Sequence, residues 1–184
     1  MSARKSSPAS STADREIVLT RVFDATREIV FDAFTDPKHV GHWWGPTGFT
    51  NAILETDVRP GGVWRFVMHA PDGTDYPNKI VYSEIVRPER LVGAWQGGKV
   101  STFDAIYRDI ARDQRIVYAY MQMDGTRISV SLATVEFTAR GAGTLMKFAE
   151  QGAYLDDFDN VASREHGTRA LIDNLEATLQ RETA

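Results

Sequence analysis

The chain has 184 residues, of which 42% are hydrophobic and 25% charged, and these ordinary globular values exclude a wholly disordered protein. Its 25 acidic and 21 basic residues give a formal net charge of −4, which argues against a general nucleic-acid binder, because such a protein needs a clustered basic surface for phosphates. The lack of cysteine excludes disulfides, thiolate metal sites and cysteine nucleophiles. No apolar run approaches the roughly 20 residues of a membrane-spanning helix, so no membrane partner is expected.

Residues 1–13 are rich in Ser and Ala and contain no large apolar side chain beyond Met1. This composition predicts a disordered tail, and it lacks the apolar segment of a secretory signal. With cysteine also missing, the sequence predicts a cytoplasmic protein in which residues 14–184 form a single domain.

The first ordered elements are a strand and two short helices. Glu16–Phe23 is short and rich in β-branched residues, which predicts a strand. Over Ala25–Phe34 the apolar residues change to helical spacing. Asp36 then provides a cap and Pro37 suits a first helical position, so Pro37–Trp43 is predicted as a second helix.

From residue 49 to residue 149 the sequence predicts strands almost throughout. Runs of aromatic and β-branched residues alternate with short turn signals, and this spacing leaves no room for crossover helices, so the sheet should be antiparallel. Within 128–137 the apolar positions move from even-numbered to odd-numbered residues. This change of phase predicts a bulge or bend near residue 132.

Residues 156–181 carry the longest helical pattern, with apolar side chains recurring at three- and four-residue spacing. Gly167 interrupts the pattern midway, although glycine within a helix costs about 1 kcal/mol relative to alanine. Its presence predicts that the helix faces the sheet or a cavity at that point.

Two stretches, Tyr82–Trp95 and Tyr107–Tyr120, match at an offset of 25 residues. Each copy has the pattern of a strand, a polar turn and a strand. Either all hairpins of one curved sheet look alike, or the hairpin is duplicated and lengthens the meander. Both interpretations predict two strand–turn–strand units in the same sheet, turning at 87–90 and 112–115.

The order of strand, two short helices, long meander and long C-terminal helix resembles the helix-grip arrangement of the START-like, or SRPBCC, superfamily. Local segments resemble the bacterial relatives of the activator of the heat-shock-protein-90 ATPase: Ala33–Pro37 (AFTDP), His42–Pro46 (HWWGP), Asp57–Phe66 (DVRPGGVWRF) and 129–151. The resemblance covers about 14–180. It implies an α+β fold in which a bent antiparallel sheet wraps around the C-terminal helix and leaves a cavity. The family usually carries one hairpin of the repeated type, whereas this sequence has two.

A cavity is expected because one helix, about 10 Å across, is narrower than six or more strands spaced about 4.8 Å apart. Large strand side chains, Trp44 and part of the helix should line it. The predicted ligand-binding residues are Trp44, Trp64, Phe66, Met68, Tyr82, Trp95, Tyr107, Tyr118, Tyr120, Val161, His166 and Leu171.

Polar motifs give a weaker signal. His39 and His42 are two imidazoles three residues apart, too few ligands for a zinc site, so neither a metal nor a cofactor is expected. Of the tryptophan pair, Trp43 is predicted to anchor the second helix. Other polar side chains that could converge on the cavity are Arg65, His69, Glu150 and His166, without a defined catalytic set.

Three functions stay open. The first is non-covalent binding of a small apolar or amphipathic molecule in the cavity. The second is a cyclase or hydrolase acting on polyketide-like or aromatic substrates, which needs an acid/base pair facing the cavity. The third is a chaperone partner in the stress response, as the family name implies, which needs an exposed interface instead. A monomer or weak homodimer is expected.

Overall fold

The structure, a computed structural model, describes residues 14–57, 59–86, 90–95, 101–124, 127–155 and 159–182. The predicted tail at residues 1–13 lies outside this range. The elements in chain order are β1 (Glu16–Phe23), α1 (Arg27–Thr35), α2 (Pro37–Trp43), β2 (Thr50–Thr56), β3 (Val63–His69), β4 (Asp75–Val86), β5 (Arg90–Trp95), β6 (Ser101–Ala111), β7 (Arg115–Asp124), β8 (Arg127–Arg140), β9 (Gly143–Tyr154) and α3 (Val161–Glu182).

The strands form two antiparallel sheets around α3, in the orders β1-β9-β8-β7-β6 and β2-β3-β4-β5. The predicted α+β helix-grip fold is thereby confirmed, including the two short helices after the first strand. The meander, however, divides into two sheets where β5 and β6 contact each other. Strand twist accumulates across a sheet, so a long meander tends to curl or split into separate sheets.

Strand β1 and helix α2 have the predicted bounds, whereas α1 runs from Arg27 to Thr35 instead of from residue 25 to residue 34. The carboxylate of Asp36 accepts a hydrogen bond of 2.9 Å from the backbone N–H of Lys38, which caps α2 as expected. Trp43 is buried, and its indole Nε1 donates to the carbonyl oxygen of Ala33 at 2.8 Å. Trp43 therefore fastens α2 to α1, as predicted.

Strand β8 contains no bulge near residue 132; the shift in its pairing with β7 lies at its start, between Arg127 and Ser129. Its pairing with β9 is continuous from Ser129 to Arg140, and its odd-numbered residues from 129 to 137 are all buried. The sequence-based prediction is wrong because Ser129 and Ser131 occupy inward positions, while Val130 and Leu132 are 45% and 46% exposed on the outer face. The change of apolar phase therefore marks a polar stretch of the interior.

Helix α3 begins at Val161, five residues later than the pattern suggested. The side chain of Asn160 accepts a 3.0 Å hydrogen bond from the backbone N–H of Ser163 and so caps the first turn. The core-facing residues farther along the helix are the apolar Ile172, Leu175 and Leu179.

The helix is also tied to the outer strand β1. Arg21 of that strand donates to the carboxylate of Glu176 at 2.5 Å and to that of Asp173. These ion pairs and the buried apolar residues of α3 place the helix across the five-stranded sheet.

The repeated segments form hairpins with the same register. A turn at 112–114 separates β6 from β7, whereas residues 87–89, between β4 and β5, lie outside the described range. The register shifts between Tyr82 and Glu84 in the first hairpin and between Tyr107 and Asp109 in the second, at equivalent positions. The two units are present, but they lie in different sheets, which corrects the prediction that they share one.

The main core lies between the five-stranded sheet and the helices, and a smaller cluster on the other sheet contains Trp64 and Phe66. No helix within the described residues is both long and apolar enough to cross a membrane.

Candidate functional site

A cavity of about 850 Å³ lies between the two sheets and α3. Side chains from α1, α2, β3, β4 and β6–β9 contribute to its walls together with α3. Most of its exposed lining residues are Trp44, Pro46 and Thr47 before β2, and Ser163, His166 and Gly167 on α3; Thr35 at the end of α1 is also exposed. The cavity therefore opens between the 44–47 loop and the first turns of the helix.

Most of the predicted ligand-binding residues line this cavity. Tyr107, Tyr118 and Tyr120 form a row of rings, with centroids 5.5 Å and 5.7 Å apart between neighbours. Trp64 and Met68 contribute from the opposite sheet. The other predicted residues found in the wall are Trp44, His166 and Leu171.

Two predicted residues lie outside the cavity wall, and the prediction for two others is not tested. Phe66 is buried against Trp64, with ring centroids 4.5 Å apart, and Val161 packs against the main core; neither is among the described residues of the cavity wall. The side chains of Tyr82 and Trp95 lie outside the described part of the chain.

The cavity wall contains a buried polar cluster that joins the start of α3 to strands β7, β8 and β9. Glu150 of β9 is 1% exposed, and its Oε1 accepts a 2.6 Å hydrogen bond from the hydroxyl of Tyr120. Arg164 of α3 donates through Nη1 to the same hydroxyl at 2.7 Å and through Nη2 to the Oγ of Ser129 at 2.8 Å. Its Nε and Nη2 also donate to the carboxylate of Asp159, at 2.9 and 2.6 Å.

The donor chemistry fixes the direction of the hydrogen bonds from Arg164 through Tyr120 to Glu150. A guanidinium group can only donate, so the Tyr120 oxygen accepts from Arg164, and the single hydroxyl proton of Tyr120 points to Glu150. This series of hydrogen bonds thus ends on the Oε1 of Glu150, and the Nη1 of Arg164 lies 3.9 Å from the same oxygen.

The electrostatic environment keeps these tyrosines protonated. Burial is the main cause that raises the pKa of Tyr120, and the negative charge of Glu150 raises it further. Burial also raises the pKa of Tyr107 and, together with the neighbouring tyrosines, that of Tyr118. For Arg164, burial alone would lower the pKa, but Tyr120, Asp159 and Glu150 outweigh it and raise the pKa.

Two polar atoms of the cavity residues are buried without a hydrogen-bond partner: the Oε2 of Glu150, an acceptor when ionised, and the indole Nε1 of Trp64, a donor. The Oγ of Ser131 and the hydroxyl of Tyr154 are in the same condition, and both lie beside Gly152. A buried polar atom without a partner costs roughly 1–3 kcal/mol. A ligand that supplies partners would recover that cost.

The other polar candidates lie elsewhere. Arg65 is exposed on β3, and His69 is hydrogen-bonded to exposed Asp75 at 2.6 Å. The described residues include no group of three or more His, Asp or Glu side chains that could hold a metal ion.

Sequence reasoning missed Arg164 and Asp159 and gave Glu150 little weight. A signal for Glu150 was available, because it follows Met146 and Phe148 in the alternating inward positions of β9. A charged residue in phase with core residues indicates a buried polar partner. No comparable signal marks Arg164, since its position depends on where α3 begins.

Comparison with known proteins places the chain in a family. The family model described as "Activator of Hsp90 ATPase homolog 1-like protein" matches residues 24–102 and again residues 96–180. The two matches meet between the repeated hairpins, so each contains one copy. None of the curated proteins compared with the chain matches its sequence.

Solved structures with the same fold come from several bacteria. A protein from Rhizobium leguminosarum is 31% identical, with a TM-score of 0.58 and coverage of 90% of this chain and 94% of its own. A Rhizobium loti protein is 29% identical, with a TM-score of 0.58 over 89% and 95% of the two chains. A Chromobacterium violaceum protein, 22% identical with a TM-score of 0.59 over 90% and 96%, shares the fold.

Proposed function

This chain belongs to the family of activator of Hsp90 ATPase homolog 1-like proteins, and we propose that it binds a small apolar or amphipathic molecule in the cavity between its sheets and α3. The observation that carries the proposal is the cavity itself. Its volume of about 850 Å³ lies within the range of roughly 300–1,000 Å³ that small-molecule sites occupy.

The chemistry of the wall supports an amphipathic ligand. Aromatic and aliphatic side chains dominate the wall, with the tyrosine row on one side and Trp64 on the other. The cluster around Glu150 lies at one end, and the mouth near Trp44 lies at the surface. Ligand sites commonly combine an apolar wall with a few polar groups that fix orientation.

The test is binding of a neutral apolar fluorophore, N-phenyl-1-naphthylamine, measured by titration. Tyr118→Arg places a long charged side chain in the cavity wall, so we expect at least about tenfold weaker binding, or about 1.4 kcal/mol. Val130→Arg is the matched control, because Val130 is 45% exposed on the outer face of β8. Absence of binding to the native protein, or equal loss in both variants, would overturn the proposal and favour the chaperone-partner hypothesis.

A second function, the cyclase or hydrolase, is favoured by one specific observation. Glu150 and Tyr120 form a buried carboxylate–hydroxyl pair in the cavity, and general acid–base chemistry requires such a pair within hydrogen-bond reach of a substrate. Native mass spectrometry of protein purified from its host distinguishes ligand binding from catalysis. A co-purified molecule whose mass is unchanged after prolonged incubation supports binding alone, whereas a mass change that Glu150→Gln abolishes supports catalysis.

A further inference from the structure

The polar cluster in the cavity wall carries more negative than positive charge. Among the described residues of the wall, Glu150 and Asp159 supply two carboxylates and Arg164 supplies one guanidinium. With His166 uncharged, the cluster sums to one negative charge. The excess is buried, because the side chain of Glu150 is 1% exposed and that of Asp159 is 16% exposed.

Arg164 is committed to the protein and is a poor site for an anionic ligand. Its Nε and both Nη atoms already donate to Asp159, Tyr120 and Ser129. A ligand carboxylate would compete with these acceptors for the guanidinium group while it approached Glu150. Like charges in a poorly solvated site repel each other strongly.

Glu150 has the opposite property, since part of it is unsatisfied. Its Oε1 accepts from Tyr120, but its Oε2 is buried with no hydrogen-bond partner. A hydrogen bond to an ionised acceptor is stronger than one between neutral groups. A ligand group that donates to Oε2 would therefore complete the cluster, and a protonated amine would also neutralise its excess charge.

We propose that Glu150, held by Tyr120 and Arg164, makes this cavity selective for apolar molecules with a hydrogen-bond-donating head group, an alcohol or a protonated amine, over the corresponding carboxylates. This selectivity rests on the proposed function, because it concerns the ligand of the same cavity. Trp64 adds an unpartnered indole donor on the opposite sheet, which fits a hydroxyl group that also accepts.

The experiment uses four probes with one ring system: 2-methylnaphthalene, 2-naphthylmethanol, 2-naphthylmethylamine and 2-naphthoate. Binding to the native protein is measured at pH 7 by ligand-observed NMR. We expect the alcohol and the protonated amine to bind at least about tenfold more tightly than the carboxylate, a difference of the size that one charge-assisted hydrogen bond provides. The affinity for 2-methylnaphthalene should lie between the affinity for the carboxylate and the affinities for the alcohol and the amine.

Two variants assign the selectivity to Glu150. Glu150→Gln keeps the shape and an acceptor for Tyr120 but removes the charge, so the advantage of the amine over the carboxylate should fall by about tenfold or more. Glu165→Gln is the matched control, since Glu165 pairs with Arg169 along α3 and is not part of the described wall. It should leave the ranking unchanged.

The order of probe affinities for the native protein tests the proposal by itself. The test therefore remains valid if the Glu150→Gln variant does not fold. Carboxylate binding equal to or tighter than amine binding contradicts the selectivity. If methylnaphthalene still binds in that case, the cavity function stands and the selectivity alone is wrong. If no probe binds, both fail. An unchanged ranking in a folded Glu150→Gln variant also contradicts the assigned role.

Discussion

At the scale of single residues, Tyr120 joins the C-terminal helix to the sheet through hydrogen bonds. It accepts from Arg164 of α3 and donates to Glu150 of β9, while its ring faces the cavity. One hydroxyl group therefore bonds to two charged side chains that are largely shielded from solvent. Its importance comes from the cost of leaving those partners unpaired, which exceeds the net gain from an average hydrogen bond.

Replacement of Tyr120 by phenylalanine should consequently lower the free energy of unfolding by about 1–3 kcal/mol. The ring packing is kept, but Arg164 loses an acceptor and Glu150 loses a donor. Urea denaturation followed by circular dichroism measures the change. Tyr76→Phe serves as the control, because Tyr76 is 47% exposed, and we expect a change within about 0.5 kcal/mol. Equal stability of the two variants would contradict a structural role for the cluster.

The pattern of apolar residues in β8 also indicates this polar cluster. Ser129 and Ser131 lie in phase with the buried Ala133 and Val135, yet the apolar pattern alone predicts that Val130 and Leu132 face inward. Apolar periodicity locates an interior face only where that face is apolar. Next to a polar site the inward positions are polar, and the apolar residues lie on the outer face. The resulting change of phase therefore indicates the polar site.

At the scale of elements, the glycine of α3 lies at the cavity, one of the two surroundings predicted for it, and does not pack against the sheet. Gly167 lies at the mouth of the cavity and is exposed, and a Cβ atom added there would meet no other atom within 4 Å. The helix thus leaves space at this point without packing against the sheet. A small residue here keeps the mouth open at the expense of helix propensity.

Gly167→Ala should therefore raise the free energy of unfolding by about 0.5–1 kcal/mol, since alanine is the better helix former and has room. Thermal and urea denaturation give the value. Gly152→Ala is the contrasting variant: its Cβ would lie 3.0 Å from the Oγ of Ser131, and we expect it to be destabilised. A loss of stability in Gly167→Ala would show that the helix needs the glycine for a contact.

The duplicated hairpin offers a second element-scale prediction. Because the two copies share register and the position of the irregularity, deletion of residues 82–106 places Val81 where Ile106 stood and continues directly into Tyr107. The shortened chain should fold with a single hairpin in one continuous sheet. Its far-ultraviolet circular dichroism and a cooperative thermal transition would establish this.

The matched control is deletion of residues 82–105, which removes one residue fewer. It turns the side chains of the joined strand to the opposite face, because side chains alternate along a strand. This variant should aggregate or unfold. Failure of both deletions would mean that the two hairpins are not interchangeable.

At the scale of the whole molecule, the sequence predicts the architecture better than the site. Strand β1 and helix α2 follow from local signals, such as β-branched runs and the Asp36–Pro37 pair, and their bounds match the prediction. The division into two sheets depends on twist accumulated over the whole meander, and the Arg164 cluster depends on contacts between α3 and the sheet. The division of the sheet and the position of Arg164 have no local signature, so local reasoning could not supply them, whereas Ser129, Ser131 and Glu150 left a signal in the strand pattern.

The tyrosine row makes the stability of the whole molecule sensitive to alkaline pH. Burial raises the pKa of Tyr107, Tyr118 and Tyr120 in the folded protein, and the neighbouring negative charge of Glu150 adds to the effect on the last two. In the unfolded chain a tyrosine titrates near pH 10, as in model peptides. Below that pH both states hold the proton, and the stabilisation is fully present.

Above about pH 10 the unfolded chain releases these protons while the folded protein retains them, so the free energy of unfolding should fall by up to about 1.4 kcal/mol per pH unit for each tyrosine. Urea denaturation between pH 8 and about pH 11.5 measures the slope. Tyr118→Phe removes one of the three groups and should make the slope shallower, while every other titrating group is common to both proteins. Identical slopes would mean that Tyr118 ionises as readily in the folded protein as in the unfolded chain, which contradicts a pKa raised by burial.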